Sequence, residues 1–383
     1  MSRRTSTTSL SSVHLVLMLG RGTSLALFDH VGMLEREIAL YNAIRPHIRK
    51  LTIVSAGGSW DMRYTKDLPD INIVTNKWLL PYRAYSAMVT KVMPRFWGKN
   101  VIVKSNQLPG AEEVLAAART AGGKAVLRCG YMYALNVARA HGKNSQGARE
   151  AAKLEKAVFP LADHCIVTEA EMRDLVINYG VPPERVDVVP NYIVEPLFAA
   201  PASIGLEVLR IGFAGRLEKE KNILNLLAAL EGLPVTLELI GEGSLRPQIE
   251  EKIRNLGLSV RMHGNIPHRQ LIGILTSCDL YLQPSLYEGH PKTILEAMAA
   301  GLPVIVGDSP GIANFIRHGK NGYLCGHKTE AIRTAVMTVS KDMPLRKLLA
   351  KEGRKYALET VGLSRIVPLE LDIYQKILDR SGR

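Results

Sequence analysis

The sequence has few cysteines and no long apolar run. Its four cysteines form no C-x-x-C pair, so neither the ligand spacing of common zinc sites nor a disulfide framework is present. The longest apolar run near the start, residues 13–19, is 7 residues long, whereas a membrane-spanning helix needs about 20. We therefore expect no transmembrane helix, no zinc site, and cysteines that are buried and reduced.

The first residues do not have the pattern of a cleaved signal peptide. Residues 1–12 contain Arg3, Arg4 and many Ser and Thr, but the apolar run that follows is short and has no small-residue cleavage site. We predict that they form a disordered leader on a cytoplasmic protein. The 383 residues, 46% of them apolar, are enough for two domains that each bury their own core.

The charge is strongly positive and unevenly distributed. The net charge is +13, and residues 1–150 contain 21 Lys and Arg against 9 Asp and Glu. A basic first half suits nucleic acid, an anionic membrane face or a phosphate-bearing substrate. Charge alone does not choose among these partners.

The first half alternates short apolar runs with helical patterns, which is typical of a parallel α/β sheet. Strands are predicted at residues 13–19, 51–55, 71–74, 101–103 and 125–127, and a helical pattern extends through Arg45. The turn Gly20-Arg21-Gly22 after the first strand does not fit the dinucleotide spacing G-x-G-x-x-G. Ligands of open α/β sheets bind beyond the carboxyl ends of the strands, so polar residues there are candidates for one wall of a site; they are Arg21, Asn106, Gln107, Arg128 and Tyr131.

A basic stripe occupies the predicted helix between residues 79 and 100. Its cations fall at multiples of four, and apolar residues lie opposite, while Pro94 must kink or interrupt the helix. Two interpretations remain open, namely an interfacial membrane helix and the solvated face of a packed helix. The cations are Arg83, Lys91, Arg95 and Lys99, and the apolar residues are Tyr85, Met88, Val92 and Phe96.

A second α/β series follows a linker that is rich in proline and small residues, at residues 191–203. Each predicted strand of this series, such as 209–213 and 235–240, leads into a glycine-containing loop. We predict two doubly wound Rossmann-like domains facing a cleft. The predicted boundaries are 1–12 for the leader, 13–198 and 199–362 for the domains, and 363–383 for a last helix.

The stretch 287–301 predicts an anion site at a helix N-terminus. Pro291 suits the first helical position and Gly301 the end, and Gly289 allows a ligand close to the backbone. The amides of the first turn and the helix dipole attract phosphate. Glu288 and Glu296 flank this position, and a carboxylate within the apolar run around Glu296 needs a partner. The alternative is an ordinary surface helix with Glu296 half exposed.

Two cations of the second half complete a nucleotide-diphosphate site. Arg216 and Lys221 lie in the loop after the strand at 209–213, where they can neutralise a pyrophosphate. Glu296 can accept hydrogen bonds from paired ribose hydroxyls. Cations that stabilise charge on a departing phosphate suit a transferase.

The motifs of the second half resemble those of a known family. E-G-H-P-K-T-I-L-E matches the Glu-x7-Glu motif of the retaining GT-B glycosyltransferases, particularly family 4, also called glycosyl transferases group 1. F-A-G-R-L-x3-K-N, G-E-G, H-G-N-I-P and A-G-L-P-V-I-V occur in the family's order. The resemblance covers most of the chain.

The resemblance implies roles for individual residues. Arg216 and Lys221 would bind the donor diphosphate, Glu288 the donor sugar and Glu296 the ribose, with Arg216, Lys221 and Glu288 counted as catalytic. The loop 264–267 would contact the base. The predicted donor-binding residues are Gly20, Arg21, Gly22, Gly215, Gly264, Asn265, Ile266, Gly289, His290, Pro291, Lys292, Thr293 and Glu296, and the acceptor candidates are Asn106, Gln107, Arg128 and Tyr131.

The resemblance implies a metal-independent hexosyltransferase without a cofactor. It would move a sugar from a UDP or GDP sugar to a glycan or lipid-linked acceptor in polysaccharide synthesis. The enzyme would be cytoplasmic, peripheral on an anionic membrane and without a nucleic-acid partner. Many relatives carry a histidine in the first domain where this chain reads Arg128-Cys129-Gly130-Tyr131, which departs from the pattern. A phosphorylase, a nucleotide-sugar epimerase and a non-catalytic binding module are the alternatives, and we expect Glu296→Ala and Arg216→Ala to abolish transfer with the fold intact.

Overall fold

The computed structural model describes residues 9–198 and 210–381. Within them the chain forms two compact units. The first unit comprises the residues up to Asp29, Glu37–Pro190 and the residues from Ile366 on. The second comprises His30–Arg36 and Asn191–Arg365.

The first unit contains a parallel sheet of seven strands in the order β3-β2-β1-β4-β5-β6-β7. Strand β1 lies between β2 and β4 and pairs with both in register from His14 to Met18. Residues of β1, β4 and β6 are buried throughout, as their apolar sequences predict. The strands are β1 His14–Met18, β2 Lys50–Val54, β3 Ile71–Val74, β4 Val101–Ser105, β5 Lys124–Cys129, β6 His164–Val167 and β7 Val186–Val188.

Helices cover both faces of this sheet. The pattern predicted through Arg45 is two helices, because Gly32 between them has a φ of +70°. A Cβ at Gly32 would lie 1.9 Å from the carbonyl oxygen of Ile266, so only glycine fits there. The helices are α1 Leu25–His30, α2 Leu34–Ile44, α3 Tyr82–Ala87, α4 Ala111–Ala121, α5 Tyr133–His141, α6 Gln146–Val158 and α7 Ala170–Asn178.

The basic segment between residues 79 and 100 is not one regular helix. Helix α3 continues into a π turn at Met88–Val92 and a 3-10 turn at Met93–Phe96. Pro94 lies in the 3-10 turn. The α-helix does not continue through it, because proline has no amide hydrogen to donate to the preceding helical turn. The predicted interruption by proline is thus correct, and it takes the form of a change of helix type.

The second unit contains a parallel sheet of six strands in the order β10-β9-β8-β11-β12-β13. The strands are β8 Arg210–Ala214, β9 Thr236–Ile240, β10 Ser259–Gly264, β11 Leu280–Gln283, β12 Val304–Gly307 and β13 Tyr323–Cys325. The helices are α8 Ile223–Leu230, α9 Arg246–Leu256, α10 His268–Thr276, α11 Lys292–Ala299, α12 Thr329–Lys341 and α13 Met343–Val361. The last helix, α14 Leu363–Ser381, belongs to the first unit from Ile366 on. Two doubly wound parallel sheets confirm the predicted fold class.

A buried ion pair fixes the last helix to the sheet of the first unit. Lys104 of β4 and Glu370 of α14 are both fully buried, with Nζ 2.7 Å from Oε2. Burial raises the pKa of Glu370, but the Lys104 ammonium more than offsets this and holds that pKa below its usual range. The hydroxyl of Tyr374 donates to the same carboxylate at 2.8 Å. A carboxylate on an otherwise apolar helix face therefore specifies how α14 docks.

Four predicted segments lie partly outside the described residues, and these include residue 209 of the strand predicted at 209–213 and residues 382–383 of the last helix. Residues 1–8 of the leader are outside them, and Leu10–Ser12 form a 3-10 turn. Of the linker, residues 199–203 are outside them. The preceding residues belong to the second unit, where Ile193 bridges Gly362 and the Glu195 carboxylate accepts from the amides of Leu363 and Ser364.

No helix within the described residues is long and apolar enough to cross a membrane. All four cysteines are buried and free. Burial raises the pKa of Cys165, Cys278 and Cys325 to about 12, which keeps these thiols protonated.

Candidate functional site

The candidate site lies where the strand order of the second sheet reverses. Strands β9 and β10 continue from β8 in one direction, and β12 and β13 continue from β11 in the other. In open α/β sheets ligands bind at this switch point, beyond the carboxyl ends of the strands. The loop after β8 contains Arg216 and Lys221, and the loop after β11 contains Glu288. The fold thus brings together the three residues predicted to be catalytic.

Hydrogen bonds join these two loops. Leu286 N donates to the carbonyl of Glu220 at 2.8 Å, and Asn222 Nδ2 donates to the carbonyl of Pro284 at 3.1 Å. Asn222 adopts a left-handed conformation, with a φ of +57°, at the start of α8. The loops therefore form one framework at the end of the sheet.

Lys221 and Glu288 form a largely buried ion pair in this framework. Lys221 Nζ lies 2.5 Å from Glu288 Oε1, and their side chains are 12% and 10% exposed. Gln283 Nε2 donates to the same oxygen at 2.6 Å, and Gln283 Oε1 accepts from Tyr281 and Thr293. Both charged groups are thus held in place by the end of β11.

Arg216 is in a different environment. Its side chain is 69% exposed and its Nη2 lies 2.7 Å from Oε1 of Glu220. An ion pair four residues apart whose arginine is exposed to solvent contributes little stability. Arg216 can therefore exchange this partner for an anion at little cost.

Helix α11 begins one residue later than the sequence predicts. Pro291 is the N-cap, because its ψ of 115° is extended, and Lys292 is the first helical residue. Proline has no side-chain acceptor, so the cap leaves the first-turn amides to other acceptors. The Lys292 ammonium lies 5.5 Å from the centre of the Tyr192 ring.

Glu296 is fully buried in the second turn of α11, not half exposed. Its Oε1 accepts from Arg36 Nη1 at 2.9 Å and from His268 Nε2 at 2.8 Å. Burial alone would raise the pKa of Glu296, but Arg36 and His268 more than offset it and lower that pKa to about 2. Glu296 Oε2 is also buried and has no hydrogen-bond partner among the described residues. The carboxylate is therefore ionised and retains a free acceptor.

A cavity of about 190 Å³ lies beside these groups, within the second unit. Three glycine loops, after β8, β9 and β10, line it together with Arg36 and the first turn of α11. The predicted residues that line it are Gly215, Arg216, Gly264, Asn265, Ile266 and Thr293. Its position beyond the ends of parallel strands is typical of a small-molecule site in an open α/β sheet.

His290 packs into the protein interior. It is 7% exposed, its Nδ1 accepts from the amide of Asn191 at 3.2 Å, and its ring meets Phe315 edge-on. The Asn191 side chain donates to the His290 carbonyl at 2.6 Å. Burial lowers the pKa of His290 to about 4. The neighbouring Gly289 is also predicted to bind the donor. Its carbonyl lies close to Gly311, where a Cβ on Gly311 would collide with this loop.

The buried neutral His290 predicts a pH-dependent stability. Its pKa of about 4 lies below the unfolded value of about 6.5, so its contribution is present above pH 6.5 and is lost as the pH falls towards 4. We expect His290→Gln to reduce the loss of unfolding free energy between pH 7 and 5 by about 2 kcal/mol. Urea titrations at both pH values measure this. The control His318→Gln replaces an exposed histidine of the same unit, and equal slopes in all three proteins would contradict the assignment.

The predicted donor residues of the first unit lie after β1. Gly20 and Gly22 have φ values of +94° and +67°. Arg21 pairs with Glu112 at 2.6 Å and with Glu113 at 3.0 Å. Arg21 thus already has acidic partners within its own unit.

The acceptor candidates fall at the ends of β4 and β5. Gln107 Oε1 accepts from the amide of Gly130 at 3.0 Å, which joins the two loops. Arg128 lies within β5 and is 5% exposed, because β5 extends to Cys129 and not only to residue 127. Asn106 is buried and Tyr131 is 37% exposed. Gln107, Gly130 and Tyr131 therefore share one edge of the sheet.

Three residues that hold the candidate site in place are not among the predicted site residues. Arg36 and His268 are far from Glu296 along the chain, and Gln283 is the last residue of β11. His268 directly follows the H-G-N-I-P motif, at the first position of α10. That position next to a motif is the one signal that pointed to any of them.

Two family profiles match the two halves of the chain. The profile of the glycosyl transferases group 1 matches residues 202–356, and that of glycosyltransferase family 4 matches residues 50–194. An uncharacterized glycosyltransferase of Methanocaldococcus jannaschii is 26% identical over 67% of this chain and 68% of its own length. The D-inositol 3-phosphate glycosyltransferase of Rhodococcus jostii is 30% identical over 53% of this chain and 50% of its own. The chain thus spans about one half to two thirds of these relatives.

Solved structures share the fold over nearly the whole chain. Anabaena HepE in complex with UDP and glucose is 18% identical, with a TM-score of 0.72 over 95% of this chain and 100% of its own. Sucrose-phosphate synthase of Thermosynechococcus elongatus is 16% identical, with a TM-score of 0.77 over 96% of this chain and 99% of its own. At these identities the likeness establishes the fold.

Proposed function

The chain belongs to the GT-B glycosyltransferases of the group 1 and family 4 type, and on this premise we propose that it is a retaining, metal-independent hexosyltransferase. Its donor is a nucleoside diphosphate sugar, with UDP or GDP as the nucleotide, and its acceptor is a glycan or a lipid-linked glycan. The observation that carries the proposal is the ionised, buried Glu296 beside a cavity lined by Arg216 and three glycine loops.

In this proposal the two cations neutralise the donor diphosphate. A Lys ammonium has three hydrogen-bond donors, so Lys221 can retain its ion pair with Glu288 and also bind a phosphate oxygen. The exposed Arg216 leaves Glu220 and offers its planar fork to the diphosphate. The uncapped amides of α11 add donors to the same anion. Charge that develops on the departing phosphate is stabilised where it arises.

Glu296 binds the ribose in this proposal. Its Oε2 is buried without a partner, and a diol supplies the donors that a carboxylate needs. Arg36 and His268 keep the carboxylate charged and oriented. The loop of Gly264, Asn265 and Ile266 contacts the base, and Glu288 binds hydroxyls of the donor sugar.

The reaction needs no protein nucleophile. A bond forms between the acceptor oxygen and the anomeric carbon while the bond from that carbon to the phosphate oxygen breaks. The acceptor proton passes to the departing phosphate on the same face, so the anomeric configuration is retained. The protein positions the reactants and stabilises the leaving group.

Product analysis tests this proposal. The protein is incubated in EDTA with UDP- or GDP-sugars and glycan acceptors, and the products are examined by mass spectrometry and by NMR of the new anomeric centre. We expect a glycoside with the donor's configuration. Inversion would refute the retaining mechanism, and turnover that requires a divalent ion would refute metal independence. Turnover with inorganic phosphate as acceptor or with donor alone would identify a phosphorylase or an epimerase.

We further propose that the enzyme works as a peripheral protein at an anionic membrane. Arg83, Lys91, Arg95 and Lys99 are all exposed, and within the described residues none of them forms an ion pair. Unpaired cations on one segment favour an anionic lipid surface, with about 1 kcal/mol for each cation near it. A lipid-linked acceptor would then be presented to the first unit.

Neutralising three of these cations should weaken vesicle binding. We expect Arg83→Gln, Lys91→Gln and Arg95→Gln together to reduce binding to phosphatidylglycerol vesicles by roughly a hundredfold at low salt. Co-sedimentation measures it. The matched control changes Lys143, Lys153 and Lys156 to Gln, which removes the same charge from exposed sites of the same unit. Equal losses in both variants would mean that only net charge matters.

A further inference from the structure

The basic segment of the first unit also exposes large apolar side chains. Trp78, Leu79, Val92 and Phe96 are 62%, 64%, 52% and 83% exposed. Tyr85 and Trp97 of the same segment are buried in the core of the unit. Two apolar residues of the segment therefore pack it against the unit, and four others are exposed to solvent.

The exposed residues lie at the two ends of the basic stripe. Trp78 and Leu79 belong to a turn before α3 that Asn76 closes through two side-chain hydrogen bonds to Leu80. Val92 and Phe96 stand four residues apart, at the end of the π turn and in the 3-10 turn. Residues 82–96 span roughly 22 Å at a helical rise. The cations Arg83 and Lys91 lie between these apolar ends, and Arg95 lies between Val92 and Phe96.

The charge of this segment is of one sign only. No Asp or Glu occurs between Asp70 and Glu112. Lys77 adds a further exposed cation, with its Nζ 4.5 Å from the centre of the Trp78 ring. Exposed Trp, Phe and Leu among cations fit the region between anionic head groups and acyl chains, where aromatic rings prefer to lie. An anionic protein partner could bind the cations without contacting the two large apolar groups at each end of the stripe.

We propose that Trp78, Leu79, Val92 and Phe96 insert into the interfacial region of an anionic bilayer. This inference rests on the peripheral attachment proposed above and adds a second, apolar component to it. Charge alone gives binding that salt abolishes, because at about 1 M salt the Debye length is roughly 3 Å. Burial of apolar surface is not screened, so inserted side chains keep part of the binding at high salt.

Fluorescence and flotation with vesicles test the insertion. In a Trp60→Phe background, Trp78 is the exposed tryptophan and Trp97 is buried. We expect brominated lipids in phosphatidylglycerol vesicles to quench Trp78, and part of the binding to survive about 1 M salt. Trp78→Ser with Phe96→Ser should weaken the salt-resistant binding by about a hundredfold, roughly tenfold for each aromatic. The control Leu161→Ser with Leu369→Ser changes residues of the same unit that are 61% and 45% exposed, and should bind as the wild type does.

Each other outcome overturns the insertion. Binding that salt abolishes and that leaves Trp78 unquenched would leave only the attachment by charge. Absence of vesicle binding, with donor binding intact in calorimetry, would remove both membrane proposals and keep the transferase. A change of oligomeric state in the Trp78→Ser and Phe96→Ser variant, seen by light scattering without loss of vesicle binding, would identify the surface as a contact between copies of the chain.

Discussion

Glu296→Gln is expected to weaken nucleotide binding by roughly a hundredfold and to abolish measurable transfer. A hydrogen bond to a charged group contributes about 1.5–3 kcal/mol, and the ribose would lose two of them. The variant should also be less stable by about 3 kcal/mol, because it breaks the buried ion pair between Glu296 and Arg36. The sequence alone predicts an intact fold for Glu296→Ala, whereas the burial of Glu296 predicts a destabilised one.

Calorimetry with nucleoside diphosphates and urea unfolding separate the two effects of Glu296→Gln. His268→Gln perturbs the same buried cluster but keeps the carboxylate, so it should lose stability with little loss of affinity. Glu359→Gln removes an exposed carboxylate of the same unit and should change neither. If His268→Gln and Glu296→Gln lose affinity equally, the cluster supports the fold and Glu296 does not contact the ribose.

Lys221→Met is expected to lower kcat by about a hundredfold to a thousandfold. Removal of one donor to a developing oxyanion has that effect in acyl-transfer enzymes, and Lys221 is placed to serve the departing phosphate. Glu288 would keep its hydrogen bond from Gln283, so the loop should hold its shape. Affinity for the intact donor should fall by less than kcat, since the charge develops as the bond breaks.

Steady-state kinetics on Lys221→Met, with Lys219→Met as the control, test this role. Lys219 lies in the same 3-10 turn and is exposed, so its loss should leave kcat unchanged. Lys221→Arg retains the charge and should recover part of the rate. A Lys221→Met variant with normal kcat and a raised KM would show that Lys221 only binds the donor.

The fold class was predictable because parallel strands buried on both faces read as short apolar runs. Strand β3 was predicted with its observed ends, and most others to within a few residues. The break between α1 and α2 was not predicted, because a glycine is ordinary in a helical pattern. Glycine is required at position 32 because the Ile266 carbonyl approaches its backbone closely. Likewise, Tyr85 is buried whereas Val92 and Phe96 are exposed, although their spacing predicts one common face. The π turn between them causes the difference, and the spacing of four does not predict that turn.

The candidate site was predictable as far as local motifs reach. The helix N-terminus, the pair of cations and the two glutamates follow from spacing within single loops. The partners of Glu296 do not, because Arg36 is 260 residues away in the sequence. The sequence indicates that a carboxylate in an apolar run needs a partner, but only the packing of α2 and α10 residues around α11 identifies it.

The proposed function requires that a nucleoside diphosphate binds beside Glu296 in the second unit. Calorimetric titration with UDP, GDP and ADP in EDTA, on the wild type and on Glu296→Gln, tests it most directly. We expect tight binding of UDP or GDP without metal and a loss of roughly a hundredfold in the variant. Absence of binding by all three nucleotides, or equal affinity in both proteins, would contradict it.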